Sequence, residues 1–135
     1  MTSYIDPGPD NWQRFKDLPR DRPIHMLNLI KFNDLALYPE GHPDHGKGRT
    51  GREAYEIYKA GFQRVVANDG AAMVWAPPQE CVVTGPEGEW DEVFVMGYPN
   101  SVAFMKMVRN EEYIRDVVPH RTAAVKDSRL IRFGG

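Results

Sequence analysis

The feature that most constrains the fold is the order in which the apolar segments change their spacing. Strand-like and helical patterns follow one another as a strand at Ile24–Phe32, a helix at Gly51–Asn68, strand-like runs at Ala71–Thr84 and Asp91–Tyr98, helical stretches from Val102 to about Ala124, and a strand at Ser128–Phe133. This order predicts an α+β domain of the ferredoxin-like βαββαβ type, with an antiparallel four-stranded sheet. The helices of such a domain cover one face of the sheet, so the other face needs a partner.

The chain divides into an arm and one domain. Residues 1–23 contain four prolines around a short amphipathic stretch, in which Trp12, Phe15 and Leu18 recur at helical spacing. We expect this stretch to form a short helix that packs on the domain. Residues 24–135 are long enough for a single core and are expected to form one ferredoxin-like α/β-barrel domain.

The composition excludes several classes of function. The 135 residues are 41% apolar and 27% charged, with a net charge of -2, so no basic field favours nucleic acid or an anionic membrane. No apolar run is long enough to span a bilayer, and the first ten residues lack a signal-peptide pattern. The single cysteine, Cys81, fits a reducing cytoplasm, and we expect it to be a small core residue.

The first strand is apolar on both sides. One side of the strand carries Ile24, Met26, Asn28, Ile30 and Phe32, and the other carries His25, Leu27, Leu29 and Lys31. A strand of this kind is expected to be buried on both faces. A helix layer on one face and a second sheet or subunit on the other would provide that burial.

Four segments carry a resemblance to a known family. They are MLNLIKF at Met26–Phe32, TGREAYEIY at Thr50–Tyr58, WDEVFVMGYPNSVAF at Trp90–Phe104 and EEYIRDVVPHRTAAVKDSRLI at Glu111–Ile131. Over roughly residues 24–133 the chain resembles the family called domain of unknown function 1330. The resemblance implies a subunit of the dimeric α/β-barrel superfamily, in which two sheets pack face to face in a homodimer. That superfamily includes cofactor-independent monooxygenases, muconolactone isomerases, stress-responsive proteins and haem-handling enzymes, so the resemblance leaves the chemistry open.

Asn28 is a candidate ligand-binding residue because it is the one strongly polar residue on its side of the first strand. A buried amide must find hydrogen bonds or cost on the order of 1–3 kcal/mol. Neighbouring protein groups can supply these bonds, and so can a ligand carbonyl or hydroxyl.

Aromatic residues could wall such a pocket: Tyr55 and Tyr58 on the first long helix, and Trp75 before the Pro77-Pro78 break. Simple core filling is the alternative for these aromatics.

His120 and Arg121 are the remaining candidates, in the region that leads to the last strand. A histidine can transfer a proton near neutral pH, and an arginine can hold a carboxylate through two parallel hydrogen bonds. The alternative is an ion pair with a nearby acid such as Glu111, Glu112 or Asp116.

The long loop at residues 33–50 contains two weak motifs. Gly46–Gly51 matches G-x-G-x-x-G but does not directly follow a strand, so we expect no nucleotide site. His42–His45 offers two imidazoles and a carboxylate, yet nothing in a proline-containing loop fixes their geometry. We therefore expect a loop without a metal ion.

Together these features predict a cytoplasmic homodimer that binds a small apolar or aromatic molecule between helices and sheet. An enzymatic form would be a cofactor-independent oxygenase or isomerase, in which Asn28 and Arg121 orient the substrate and His120 moves a proton. The alternatives are a non-catalytic binding or structural homodimer and, with less support, a haem-handling protein. No cofactor, nucleic acid or membrane partner is expected.

Overall fold

The computed structural model describes residues 2–135. Its helices and strands, in chain order, are α1 (Pro9–Asp17), β1 (Ile24–Phe32), α2 (Gly51–Val66), β2 (Ala72–Trp75), β3 (Glu92–Tyr98), α3 (Ser101–Arg109), a π-helical turn (Tyr113–Val117), α4 (Val118–Ala124) and β4 (Val125–Gly134). The four strands form one antiparallel sheet in the order β2-β3-β1-β4. This confirms the predicted ferredoxin-like α+β fold, since β1 and β3 occupy the centre and the helices connect non-neighbouring strands.

The core lies between the sheet and the long helices. On the helix-facing side of β1, Ile24, Met26 and Ile30 are buried, whereas Asn28 is only half-buried. Asn28 lies opposite Phe94 of β3 and Leu130 of β4. It therefore occupies the middle of the sheet, beneath the helices.

Helix α2 begins as its sequence predicts. Thr50 accepts a hydrogen bond from the backbone N–H of Glu53, and the Glu53 carboxylate accepts one from the N–H of Thr50, which completes a capping box. The residue after Thr50 must be a glycine, because a Cβ at Gly51 would collide with the backbone carbonyls of Asn33 and Ala124. This close approach fixes the start of α2 against the ends of β1 and α4.

The second helical region is divided in two. Asn100 caps α3 by accepting a hydrogen bond from the N–H of Ala103, and Asn110 caps the next segment by accepting one from Tyr113. The chain then forms the π-helical turn, and α4 follows with Pro119 in its first turn. The π-helical turn sets the rotation of α4, which carries His120 and Arg121.

The strand-like run at Ala71–Thr84 is expected to give two strand pieces separated at Pro77-Pro78, and only the first of them forms. Strand β2 ends at Trp75, because Pro77 and Pro78 have no N–H to donate to a sheet. The chain beyond them stands away from the domain, and Val83 is 92% exposed. Cys81 is likewise exposed, so the prediction that it is a core residue is also wrong.

The second face of the sheet is only half-buried among residues 2–135, so the burial expected for β1 on this side would need a second sheet or subunit. Leu27 and Leu29 are half-buried there, and Ile131 and Phe133 are 44% and 50% exposed. We call this surface the open sheet face; it comprises His25, Leu27, Leu29, Val93, Val95, Ile131 and Phe133. Within residues 2–135 no helix covers it, since α2, α3 and α4 pack on the opposite side.

The arm packs on the helix-facing side of the domain through α1. Phe15 stacks on Trp12 with ring centroids 5.3 Å apart and meets Phe104 of α3, also at 5.3 Å. The guanidinium of Arg132 on β4 donates to the carbonyls of Phe15 and Pro19 at 3.2 and 2.6 Å. Among residues 2–135, no helix has the length and apolar character needed to cross a membrane.

Candidate functional site

A large cavity lies between the sheet, α2, the π-helical turn and the arm. Its volume is about 1670 Å³. Apolar side chains of the arm, the sheet, α2 and α3 line it, and Tyr113 lines it from the π-helical turn; the apolar residues include Trp12, Phe15, Met26, Phe62, Phe94, Met96 and Phe104. A cleft of this kind, mostly apolar with a few polar groups, is typical of small-molecule sites.

Asn28 supplies a polar group at the floor of the cavity. Its side-chain Nδ2 donates to the carbonyl of Met26 at 3.1 Å. Within the described residues, this is the hydrogen bond that the Asn28 side chain makes, so Oδ1 is free to accept one from a ligand. The amide is held in place by its own strand and still presents an acceptor to the cavity.

Three tyrosines form a polar seam in the wall. The hydroxyl groups of Tyr58 on α2 and Tyr113 in the π-helical turn lie 3.0 Å apart, and the Tyr55 ring lies tilted beside that of Tyr58 with centroids 5.2 Å apart. Burial raises the pKa of Tyr58 well above its ordinary value, and burial also raises the pKa of Tyr55 and Tyr113. These phenols stay protonated at neutral pH and act as hydrogen-bond donors rather than bases.

Arg121 brings a positive charge to the same cavity from α4. Its side chain is 13% exposed, and Nη1 donates to the backbone carbonyl of Ile5 at 2.6 Å. Nη2 lies 3.4 Å from Oγ of Ser128, and the Asp6 carboxylate lies 4.0 Å from Nη1. The acids at Glu111, Glu112 and Asp116 are not its partners; instead, Arg121 holds the arm.

The arm is also tied to β4 over the cavity. The Ser128 hydroxyl donates to the carbonyl of Tyr4 at 2.7 Å, and the N–H of Tyr4 donates to the Asp127 carboxylate at 2.8 Å. Together with Arg121, these groups hold the backbone of Tyr4 and Ile5 across one end of the cavity. The arm is therefore part of the wall.

Two of the candidates from the sequence lie elsewhere. Trp75 is 52% exposed and is paired in register with Val95, on the side of the open sheet face. His120 does not line the cavity, although its neighbour Arg121 does. Asn28, Tyr55, Tyr58 and Arg121 are thus brought together, and Trp75 and His120 are separated from them.

His120 instead joins a second cluster with the loop at residues 33–50. Its Nδ1 lies 2.6 Å from the Tyr38 hydroxyl and 3.9 Å from Oδ2 of Asp44. Nδ1 of His42 lies 3.9 Å from the same carboxylate oxygen. Burial lowers the pKa of His120 below its ordinary value, although the Asp44 carboxylate acts in the opposite direction.

The sequence did not single out several of these groups. The hydrogen bond between Ser128 and the arm could not be predicted, since no sequence pattern shows which partner a serine in a strand will have. Tyr113 was visible only as one aromatic among many. The link between Tyr38 and His120 spans 82 positions, and no local signal predicts such a pairing.

The chain is similar in sequence and fold to proteins of known structure. A crystal structure of methylated RPA0582 protein is 41% identical, with a TM-score of 0.88, over 100% of this chain and 96% of that chain. A second crystal structure, of RPA0582 as a protein of unknown function from Rhodopseudomonas palustris, is 39% identical, with a TM-score of 0.87, over 99% of this chain and 98% of that chain. The chain belongs to the RPA0582 family.

Membership of the RPA0582 family establishes the fold and leaves the activity open. A hypothetical Arabidopsis thaliana protein, AT3G17210, shares the fold at 12% identity and a TM-score of 0.54, over 87% of this chain and 93% of that chain. Comparison with protein-family models and with curated proteins gives no match. The function must therefore be argued from the site itself.

Proposed function

We propose that the protein is a homodimer of the dimeric α/β-barrel type that binds a small, mostly apolar or aromatic molecule in the cavity beneath the arm. This agrees with the resemblance to domain of unknown function 1330. The observation that carries the proposal is the cavity itself, about 1670 Å³ in volume, with Asn28 and Arg121 as polar groups in an aromatic wall.

The polar groups suggest which ligands fit. Oδ1 of Asn28 accepts hydrogen bonds, and the guanidinium of Arg121 attracts an anionic or strongly polar oxygen. Of the paired phenols of Tyr58 and Tyr113, one donates to the other and the second can donate to a ligand. A planar molecule with a hydroxyl at one end and a carbonyl or carboxylate at the other would satisfy these groups and bury its ring against Phe62 and Phe94.

The homodimer is supported by the open sheet face. Four strands about 4.8 Å apart and about seven residues long make a surface of roughly 400 Å² in plan. A patch of this size equals the largest apolar patch of a typical single chain, and such patches are often functional. A second copy of the same face offers matching apolar residues, and it would complete the two-sheet barrel that the resemblance implies.

The non-catalytic form of this function has the better support. The histidine expected to move a proton, His120, is bonded to Tyr38 outside the cavity. The cavity tyrosines are held in the protonated form. Oxygenation or isomerisation would need another group or a changed arrangement, whereas binding needs only the cavity.

Native mass spectrometry of freshly purified protein tests the proposal. We expect a dimer carrying a co-purified small molecule, which is then identified after denaturation. Asn28→Ala should lose this molecule while retaining the circular dichroism spectrum of the wild type. Trp75→Ala is the matched control, since Trp75 lies outside the cavity and should leave ligand occupancy unchanged. Equal occupancy in Asn28→Ala and the wild type would remove Asn28 from the site.

A further inference from the structure

The side chains at His42, Asp44 and His120 come together although they are far apart in sequence. His42 and Asp44 belong to the loop at residues 33–50, and His120 belongs to α4. One ligand atom from each residue lies within 4.8 Å of those from the other two. We propose that these three residues form a binding site for a divalent transition-metal ion such as Zn²⁺. The sequence alone favoured a metal-free loop because it gave no sign that His120 joins it.

The donor set suits such an ion. Two imidazole nitrogens and one carboxylate oxygen are the ligands of many zinc sites, and they leave a fourth position open. Ligands about 2.0–2.1 Å from a tetrahedral ion are about 3.3 Å apart. Each imidazole Nδ1 is now 3.9 Å from Oδ2 of Asp44, so each of these two distances must shorten by roughly half an ångström.

Backbone contacts hold the loop against α4, which keeps the three side chains close together. The N–H of Leu37 donates to the carbonyl of Ala123 at 2.9 Å, which ties the loop to α4. Nδ1 of His45 lies 2.8 Å from the carbonyl of Tyr38, which steadies the residue that contacts His120. Outer contacts of this kind orient metal ligands and are part of their affinity.

Binding would replace contacts that the same atoms make now. Nδ1 of His42 accepts a hydrogen bond from the N–H of Asp44 at 3.0 Å, and Nδ1 of His120 lies 2.6 Å from the Tyr38 hydroxyl. These bonds would give way to coordinate bonds. The Tyr38 oxygen is then near enough to the ion to take the fourth position or to hold a water molecule there.

Two basic side chains compete with the ion for Asp44. Nζ of Lys47 lies 3.2 Å from Oδ1, and Nη1 of Arg49 lies 3.2 Å from Oδ2. The Lys47 side chain is 55% exposed and can turn into water, whereas that of Arg49 is 25% exposed. Arg49 contacts the oxygen assigned to the ion and must give up that contact when the ion binds. Lys47 contacts the other oxygen, and its removal should strengthen metal binding by leaving more negative charge on the Asp44 carboxylate.

Calorimetric titration of tag-free, full-length protein with ZnCl₂ tests the proposal. We expect one ion per chain and a rise in melting temperature on saturation. His42→Ala and His120→Ala should each weaken binding at least tenfold, since loss of outer contacts alone costs about 10–100-fold. Lys47→Ala should bind several-fold more tightly.

Matched controls separate the site from general effects of charge and histidine number. His25→Ala removes an imidazole from β1, and Lys106→Ala removes a lysine paired with Asp69 on the surface; both should bind as the wild type does. If His120→Ala fails to fold, His42→Ala on the loop decides the matter. The absence of saturable binding by the wild type up to about 100 μM ZnCl₂, or undiminished binding by His42→Ala, overturns the proposal.

Discussion

Single polar side chains decide how the arm is held over the cavity. Ser128 is 5% exposed, and its hydroxyl donates to the carbonyl of Tyr4. Arg121 donates to the next carbonyl, that of Ile5. A chain segment without a long helix or strand of its own depends on such bonds, because each unsatisfied buried group would cost free energy.

Ser128→Ala should therefore lower the free energy of unfolding by about 1 kcal/mol, because the Tyr4 carbonyl loses its donor. Urea denaturation monitored by tryptophan fluorescence measures this change. Thr122→Ala is the control: its hydroxyl bonds within α4 to the carbonyl of Val118 and is exposed, so it should change stability by less than about 0.5 kcal/mol. Equal losses in both variants would mean that the bond from Ser128 to the arm contributes nothing particular.

At the scale of helices and strands, the sequence predicted what depends on local pattern. The bounds of β1 at Ile24–Phe32 and the capping box at Thr50 were readable because alternation and capping act over a few residues. The strand-like run predicted around β2 is longer than the strand itself, because the apolar residues continue past Pro77-Pro78 into an exposed segment. Strand propensity cannot show whether a neighbouring strand is present to pair with it.

The candidate site was only partly predictable for the same reason. Asn28 could be found because one polar residue interrupts an apolar strand face, and Tyr58 because it falls on the buried stripe of α2. The grouping of His120 with His42 rather than with Asn28 depends on how α4 is rotated. That rotation is set by the π-helical turn, which has no sequence signature here.

The contact between α2 and the π-helical turn offers a test of element packing. Gly61 lies in the interior of α2, where alanine would normally stabilise a helix by about 1 kcal/mol. A Cβ at this position would lie 2.8 Å from Cγ2 of Val117, which is 1% exposed. Gly61→Ala should therefore destabilise the protein by about 1–2 kcal/mol, because the overpacking exceeds the gain in helix propensity.

A double-mutant cycle with Val117→Ala checks this cause by chemical denaturation. The double variant should be more stable than the sum of the single changes implies, because the smaller side chain at position 117 makes room for the new methyl group. Additive effects would show that the two positions do not interact in this way.

For the whole molecule, burial of the phenols makes stability depend on alkaline pH. Burial raises the pKa of Tyr55, Tyr58, Tyr98 and Tyr113 above about 10. In the unfolded chain these groups lose their protons near pH 10, whereas in the folded chain they keep them. The stability they contribute is complete below pH 10 and is lost as the pH rises above it.

We expect urea denaturation to give a lower free energy of unfolding at pH 10.5 than at pH 8. Tyr58→Phe should reduce this difference, because one group with a raised pKa is removed, by up to about 1.4 kcal/mol per pH unit. Absorbance at 295 nm should show the buried phenols ionising only as the protein unfolds. Ionisation of all six tyrosines of the folded protein with midpoints near pH 10 would contradict the buried seam.

Assembly is the other property of the whole molecule. Ile131→Lys places a charge on the open sheet face and should convert a dimer to a monomer without loss of folding, since this side chain is already 44% exposed in one chain. Val102→Lys on α3, which is 51% exposed, is the control and should leave the dimer intact. Sedimentation velocity measures both. A folded wild-type monomer at micromolar concentration would argue against the dimer.

The π-helical turn between α3 and α4 links the position of Arg121 in the cavity to the position of His120 in the loop cluster. Successive residues of a helix point about 100° apart. Deleting one residue from Tyr113–Val117 would swing His120 and Arg121 around the axis of α4, and both would leave their present surroundings at once. Substitutions can change the surroundings of His120 or of Arg121 separately, whereas a change of length in this segment displaces both side chains together.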